Sequence, residues 1–446
     1  MKDLTKGNPI RLILIFAIPI FIGNVLQLLY NLIDTRIVGQ ILGENALAAV
    51  GATNSINNLI VGFMLGLING FSILVARNFG AKEEENLKKS VAATLSLGLL
   101  VAVVITVFSV IFLMPLLELL NTPKEVIHES YRFIRIIFLG ISISAIYNVC
   151  ACVLRAMGDA ITPLIFLSIS VVCNVVLDYV FIGPLNLGVE GAAYATVISQ
   201  FLSAVLCILY IRKKYPILHL KREDFRFPLP MLRMMFTSGL SMGFMSSLVS
   251  IGTVALQSSI NTFGTDIIVA HTAARKLTEL FMLSFSTLGI TMATFASQNL
   301  GAKQIKRIKE GLYKTILLTF VWSLGVMVVT YTIAPVLIKW VTASSNEIVI
   351  DTATKYLRIN TVFYFVPAMI TVIRNTMQGI GDCIIPIVSS MIELVGKVLI
   401  VLFLAPKLSY MGIIISEPIV WVLMVIPLLL RIFTNPVLKE KEIIVE

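Results

Sequence analysis

The chain has 446 residues, of which 57% are hydrophobic and 13% charged, with a formal net charge of +10 and a mean hydropathy of +0.93. A soluble domain carries about 25% charged residues, so this composition excludes a chain with an ordinary polar surface and predicts a polytopic membrane protein. In a soluble chain the positive charge would suggest nucleic acid; the placement of the charges excludes that partner.

Crossing a bilayer takes about 20 apolar residues, and twelve runs reach that length. The first covers 11–38, too long for the apolar core of a cleavable signal; it holds Pro19 at its middle and Asp34 near its end. Runs at 46–75, 89–114 and 127–153 follow. The fifth, 160–183, contains Asn174 and Asp178, and the sixth, 188–211, contains Thr196. After "RKKYPILHLKREDFRFPLP" come six more: 231–260, 266–297, 310–338, 349–373, 383–404 and 409–433. The ten-residue alternation of a β-barrel is missing.

The layout repeats. "NFGAK" at 78–82 returns as "NLGAK" at 299–303, "YRFIRI" at 131–136 as "TKYLRI" at 354–359, and "GDAITP" at 158–163 as "GDCIIP" at 381–386. The offsets are 221, 223 and 223, so the unit of repetition is six helices. Six is even, so both repeats start on the same side and are parallel. The predicted fold is all-α: twelve transmembrane helices in two pseudo-symmetric six-helix lobes around a central cleft. The N-lobe is 1–213, the cytoplasmic linker 214–230 and the C-lobe 231–446.

Basic residues predict the orientation. Segments on one side of this layout hold 23 of them, from Lys2 and Lys6 to Lys439 and Lys441, against Lys124, Lys339 and Lys407 on the other. By the positive-inside tendency both termini are cytoplasmic in the cell's inner or plasma membrane, and the net charge is a topology signal. Two lobes suit alternating access about a central site in a monomer, since channels more often assemble from several subunits.

Energy and chemistry come next. No G-x-x-x-x-G-K-[ST] phosphate loop and no H-E-x-x-H metal motif occurs, so neither ATP nor a catalytic metal is expected. The protein is not read as an enzyme, and no cofactor is predicted. The five cysteines are scattered in apolar runs and read as small packing residues. Transport then draws on an ion gradient or runs downhill.

Polar groups inside the spans are few, and such groups mark functional sites by default. At 1.5 Å per residue, Asp34 and Asp178 both lie roughly 7 Å below the same ends of their spans, Thr196 roughly 12 Å down and Asn174 about 6 Å deeper than Asp178. Asn174 and Asp178 share a helix face. Carboxylate, amide and hydroxyl oxygens suit small hard cations such as Na⁺. Two carboxylates close together in a poorly solvated site resist double ionisation unless a cation enters. The bland alternative is a pair of interfacial aspartates with no transport role. Pro19 removes one backbone hydrogen bond, either as a hinge for Asp34 or as a static kink. Gln27, Asn54 and Asn57 are candidates for lining the cavity or for plain interhelical hydrogen bonds. In the second lobe Arg275/Glu279 and Glu393/Lys397 are spaced as mutually neutralising (i, i+4) pairs; Glu417 has no evident partner.

Together these features resemble the multidrug and toxic compound extrusion (MATE) family over essentially the whole chain. The Pro19–Asp34 spacing, Asn174-x-x-x-Asp178 and Thr196 resemble its DinF-type and archaeal branch. That resemblance implies an N-lobe cation or proton site at Asp34, Asn174, Asp178 and Thr196, a bend at Pro19, and export of hydrophobic, often cationic drugs in exchange for Na⁺ or H⁺. The chain departs from the NorM-type pattern, whose acids lie in the middle of helices 7 and 10. The competing reading within the superfamily is a lipid-linked saccharide flippase, which more often has fourteen spans and a basic cavity. A membrane enzyme or passive channel lacks a catalytic cluster or pore signature.

Overall fold

The computed structural model describes residues 3–119, 122–342 and 346–439; Lys2 and Lys441 of the basic count lie outside them. Seventeen α-helices and no strand occur among these residues. Ten helices are long and apolar enough to cross a membrane, or up to twelve spans if each of two bent pairs counts as one.

The first eight helices are α1 (Pro9–Leu42), α2 (Glu44–Ala81), α3 (Glu84–Ile111), the short α4 (Leu113–Leu119), α5 (Ile127–Leu139), α6 (Ile141–Ala156), α7 (Ile161–Ile182) and α8 (Gly188–Lys214). Two 3₁₀ turns, Pro216–Leu218 and Arg222–Phe225, lead to α9 (Leu229–Ile260). Then come α10 (Thr265–Gly301), α11 (Ile305–Thr342), α12 (Glu347–Val362), α13 (Phe365–Gly379), α14 (Ile384–Leu399), a π-helical stretch Ile400–Leu404, α15 (Ala405–Leu408), α16 (Tyr410–Thr434) and α17 (Pro436–Lys439). The fourth and tenth predicted spans are each two helices. The pair α5 and α6 bends by 46°, and α12 and α13 by 53°.

The chain divides into two compact units: Met1–Leu4 with Ile15–Gly243, and Thr5–Leu14 with Phe244–Glu446. In the first, α2 packs on α3, α5 and α6, and α7 on α8. In the second, α10 packs on α11, α12 and α13, and α14 on α16. The sequence repeat is thus a repeat of packing. The backbone carries it too: Lys82 and Lys303 both have φ 59°, Asn186 and Ser409 both 50°. Lys82 and Lys303 follow the last turns of α2 and α10, where a left-handed residue lets the chain leave a helix.

The paired G-D turns have a structural job. Gly158 and Gly381 adopt φ 84° and 92°, a region glycine enters without steric cost. Asp159 then caps α7, accepting from the Thr162 backbone N–H at 3.0 Å and the Thr162 hydroxyl at 2.7 Å. It also accepts from the Tyr215 hydroxyl at 2.8 Å, tying down the chain as it leaves α8. In the second unit Asp382 pairs with Arg431 near the end of α16 and accepts from Asn435 Nδ2 at 2.8 Å. In each repeat the aspartate clasps the end of the sixth span.

Within the first unit α2 and the start of α9 approach backbone to backbone. A Cβ on Gly70 would stand 2.5 Å from the Gly239 Cα and the Ser238 carbonyl oxygen. Gly66-x-x-x-Gly70 faces Gly239-x-x-x-Gly243, the small-residue spacing that lets helices pack closely in lipid.

Candidate functional site

Three helices of the first unit build the polar layer. Tyr30 and Asp34 stand one turn apart on α1, Asn174 and Asp178 one turn apart on α7, and Thr196 lies in the third turn of α8. The helix α8 can come this close to α7 because its first turns are small: Gly191, Ala192, Ala193 and Ala195 are all buried.

Asp178 is 0% exposed and Asn174 1%; Asp34 and Thr196 are half-buried. The carboxyl groups of Asp34 and Asp178 are close enough to feel each other electrostatically. With the Asn174 amide oriented to suit its neighbours, its NH₂ donates to Asp178 Oδ2 at 2.9 Å and its oxygen accepts from the Thr196 backbone N–H at 3.2 Å. The Thr196 hydroxyl and the Tyr30 hydroxyl share a 2.9 Å hydrogen bond. The four residues named from sequence therefore converge, and Tyr30 joins them.

Oxygen is in surplus here. Asp34 Oδ1, Asp178 Oδ1 and, one turn along α8 from Thr196, Ser199 Oγ are buried with no hydrogen-bond partner. An unsatisfied buried polar group costs about 1–3 kcal/mol, more if charged. Among the described residues no lysine or arginine pairs with either carboxylate. Such a layer of hard acceptors matches a proton or a small hard cation.

Other predicted residues stand apart. Helix α1 runs unbroken through Pro19, which is half-buried. Gln27 and Asn54 are exposed; Asn57 is half-buried with an unpartnered Oδ1. No described hydrogen bond joins these three to the layer. Sequence reasoning passed over Tyr30, although its place four residues before Asp34 on the same face was the available signal. Ser199, three residues after Thr196, carried the same signal.

The second unit holds a different cluster. Arg275 on α10 makes its salt bridge with Glu417 on α16, 2.6 Å between Nη1 and Oε1, rather than with Glu279, which is exposed. The other Glu417 oxygen accepts from the Tyr356 hydroxyl at 2.8 Å. His271, one turn before Arg275, sits edge-on to the Tyr356 ring at 5.3 Å, with Nδ1 3.1 Å from the Tyr410 hydroxyl. A cavity of about 250 Å³ beside the pair is lined by Gln257, Lys276 and Glu279 among others. Glu393 and Lys397 pair at 2.8 Å as the spacing predicted, both buried.

The repeat offset of 223 places Lys397 where the first unit has Asn174, Val401 for Asp178 and Ile419 for Thr196. The second unit's counterpart of the polar layer thus has a fixed ammonium, already matched by Glu393, and no acid at the Asp178 position. The first unit's layer thus holds carboxylates with no lysine or arginine partner among the described residues, whereas the second holds an ion pair.

Comparison with known proteins agrees with the fold. The family model described as MatE matches residues 19–180 and 241–404. The probable multidrug resistance protein YoeA of Bacillus subtilis is 30% identical over 93% of this chain and 91% of its own. The probable multidrug resistance protein NorM of Halalkalibacterium halodurans is 22% identical over 86% and 84%. Among solved structures, a MOP superfamily transporter from Pyrococcus furiosus superimposes with a TM-score of 0.88 at 24% identity, over 98% of both chains. That protein is described as having a binding pocket of reverse polarity.

Proposed function

The chain belongs to the MatE family, whose members are transporters rather than enzymes, and from that premise we propose that it is a secondary multidrug antiporter of the plasma membrane. It expels amphiphilic, often cationic compounds in exchange for H⁺ or Na⁺. The observation that carries this reading is the buried convergence of Asp34 and Asp178 with Asn174 and Thr196, three helices contributing oxygens to one layer. Both relatives described above are described as multidrug resistance proteins.

The chemistry is competition for negative charge. Two adjacent carboxylates in a poorly solvated site favour taking up one positive charge. A proton arriving there, or Na⁺ held by the Asp34, Asp178, Asn174 and Thr196 oxygens, removes the attraction for a cationic drug. Asp34 rides on α1, and Pro19 leaves one backbone carbonyl of that helix without its usual donor. Charge uptake at Asp34 changes what α1 gains by staying against α7 and α8, and Pro19 is where the helix yields. Both termini face the cytoplasm, by the excess of basic residues on that side, and the protein works as a monomer. A saccharide-pyrophosphate flippase would need cationic groups where this layer is acidic.

The test is transport in proteoliposomes with an imposed Na⁺ or pH gradient and ethidium as the fluorescent cargo. One of the two gradients should drive ethidium movement, and its collapse should stop it. Transport indifferent to both gradients contradicts antiport.

A further inference from the structure

A cavity of about 550 Å³ lies in the first unit, at the end where α3 begins and α6 and α8 finish. It is unrelated to the acidic layer, which lies toward the opposite ends of α7 and α1. Its walls are apolar: Leu95 from α3, Val153 from α6 and Ile208 from α8. Its roof is Leu218, in the 3₁₀ turn that follows α8. Two basic side chains stand at its rim, Arg212 and His219, both exposed. His219 is fixed there, its Nε2 2.8 Å from the Arg212 carbonyl oxygen. The Arg212 guanidinium forms no ion pair among the described residues.

The roof is held in place. Tyr215, just before it, is 7% exposed and donates to Asp159, and Leu218 is 6% exposed. The cavity is therefore a built feature of the helix ends and the anchored turn, within the size range of ligand pockets. Its chemistry is that of an amphiphile receptor: an apolar interior with a guanidinium and an imidazole at one edge, where apolar helices of the fold end. Basic pockets between transmembrane helices take the headgroups of acidic lipids.

We propose that this cavity binds an acidic phospholipid of the adjoining leaflet, one acyl chain against Leu95, Val153 and Ile208 and the phosphate at the Arg212 guanidinium, beside His219. Charge complementarity selects the acidic headgroup, and a membrane supplies it continuously. A free fatty acid shares the acyl chain and anionic oxygens, but offers one chain and a smaller head for two basic groups.

Native mass spectrometry of the purified full-length protein, incubated with one lipid at a time, tests this. The probes are phosphatidylglycerol, phosphatidylcholine with the same acyl chains, and oleate. The expected result is phosphatidylglycerol retained over phosphatidylcholine by about fivefold or more, the scale of one basic contact at a membrane surface. The preference should vanish in Arg212→Gln/His219→Ala, whose positions are exposed and should not impair folding. Leu95→Trp, which fills the cavity, should lower retention of phosphatidylglycerol. Lys213→Gln/Lys214→Gln, outside the cavity, should leave it intact. Equal retention of the two phospholipids, or a preference untouched by the Arg212 and His219 changes, overturns the proposal. Retention of oleate over phosphatidylglycerol overturns the phospholipid assignment.

Discussion

Asp178→Asn should abolish gradient-driven efflux while leaving the protein as stable as before, or more so. Asp178 is fully buried, one of its oxygens is unpartnered, and the other accepts from the Asn174 amide. A charged acid buried in a membrane helix is costly unless it is paired; the isosteric amide avoids that cost and keeps the shape. Transport should fall at least about a hundredfold, equivalent to ~2.7 kcal/mol in the barrier, because an amide cannot exchange a proton or balance a cation. Efflux in vesicles and thermal unfolding in detergent read the two effects separately. A variant that transports normally, or one that is inactive because it has unfolded, counts against the assignment. Function that depends on a group the fold would be better without is the usual sign of a site held against stability.

The second large effect runs the other way. Arg275→Ala should destabilise the second unit strongly, while Arg275→Met/Glu417→Met should recover most of the loss. The Arg275–Glu417 pair spans α10 and α16, with the carboxylate side chain only 7% exposed. Removing one partner of a buried pair costs about 3–5 kcal/mol because the other charge is left uncompensated, whereas replacing both with apolar groups is often neutral or stabilising. Tyr356 donates to Glu417, but a hydroxyl does not neutralise a carboxylate. The midpoint of thermal unfolding should fall clearly in the single variant and return in the double. Equal midpoints in all three proteins would mean that the pair is structurally idle.

The contrast between the two units shows what a sequence displays and what it hides. The twelve apolar runs and the three repeated motifs are local patterns, and they predicted the helices and the repeat. Asp34, Asn174, Asp178 and Thr196 stood out because each is polar within an apolar run, and the depth argument needed only the rise per residue. Arg275 with Glu417 was hidden because its partners are 142 positions apart; spacing rules compare neighbours on one helix and suggested Glu279 instead. The bends between α5 and α6 and between α12 and α13 were hidden because hydropathy measures greasiness and not direction. At the first bend, a Cβ on Gly140 would stand 2.5 Å from Val197, a contact between helices that no local pattern contains. The G-D turns were visible as motifs, yet their role as clasps on Tyr215, Arg431 and Asn435 needed coordinates.

The central claim is that the Asp34–Asp178 layer takes up the coupling ion and yields it to the drug. Its most direct measurement is ion release from the purified protein on adding a cationic substrate: protons by a pH-sensitive dye in weak buffer, Na⁺ by displacement of radioactive sodium. The account predicts release of one ion or the other from the wild-type protein and none from Asp34→Asn/Asp178→Asn. Release that persists undiminished in that double variant would contradict it.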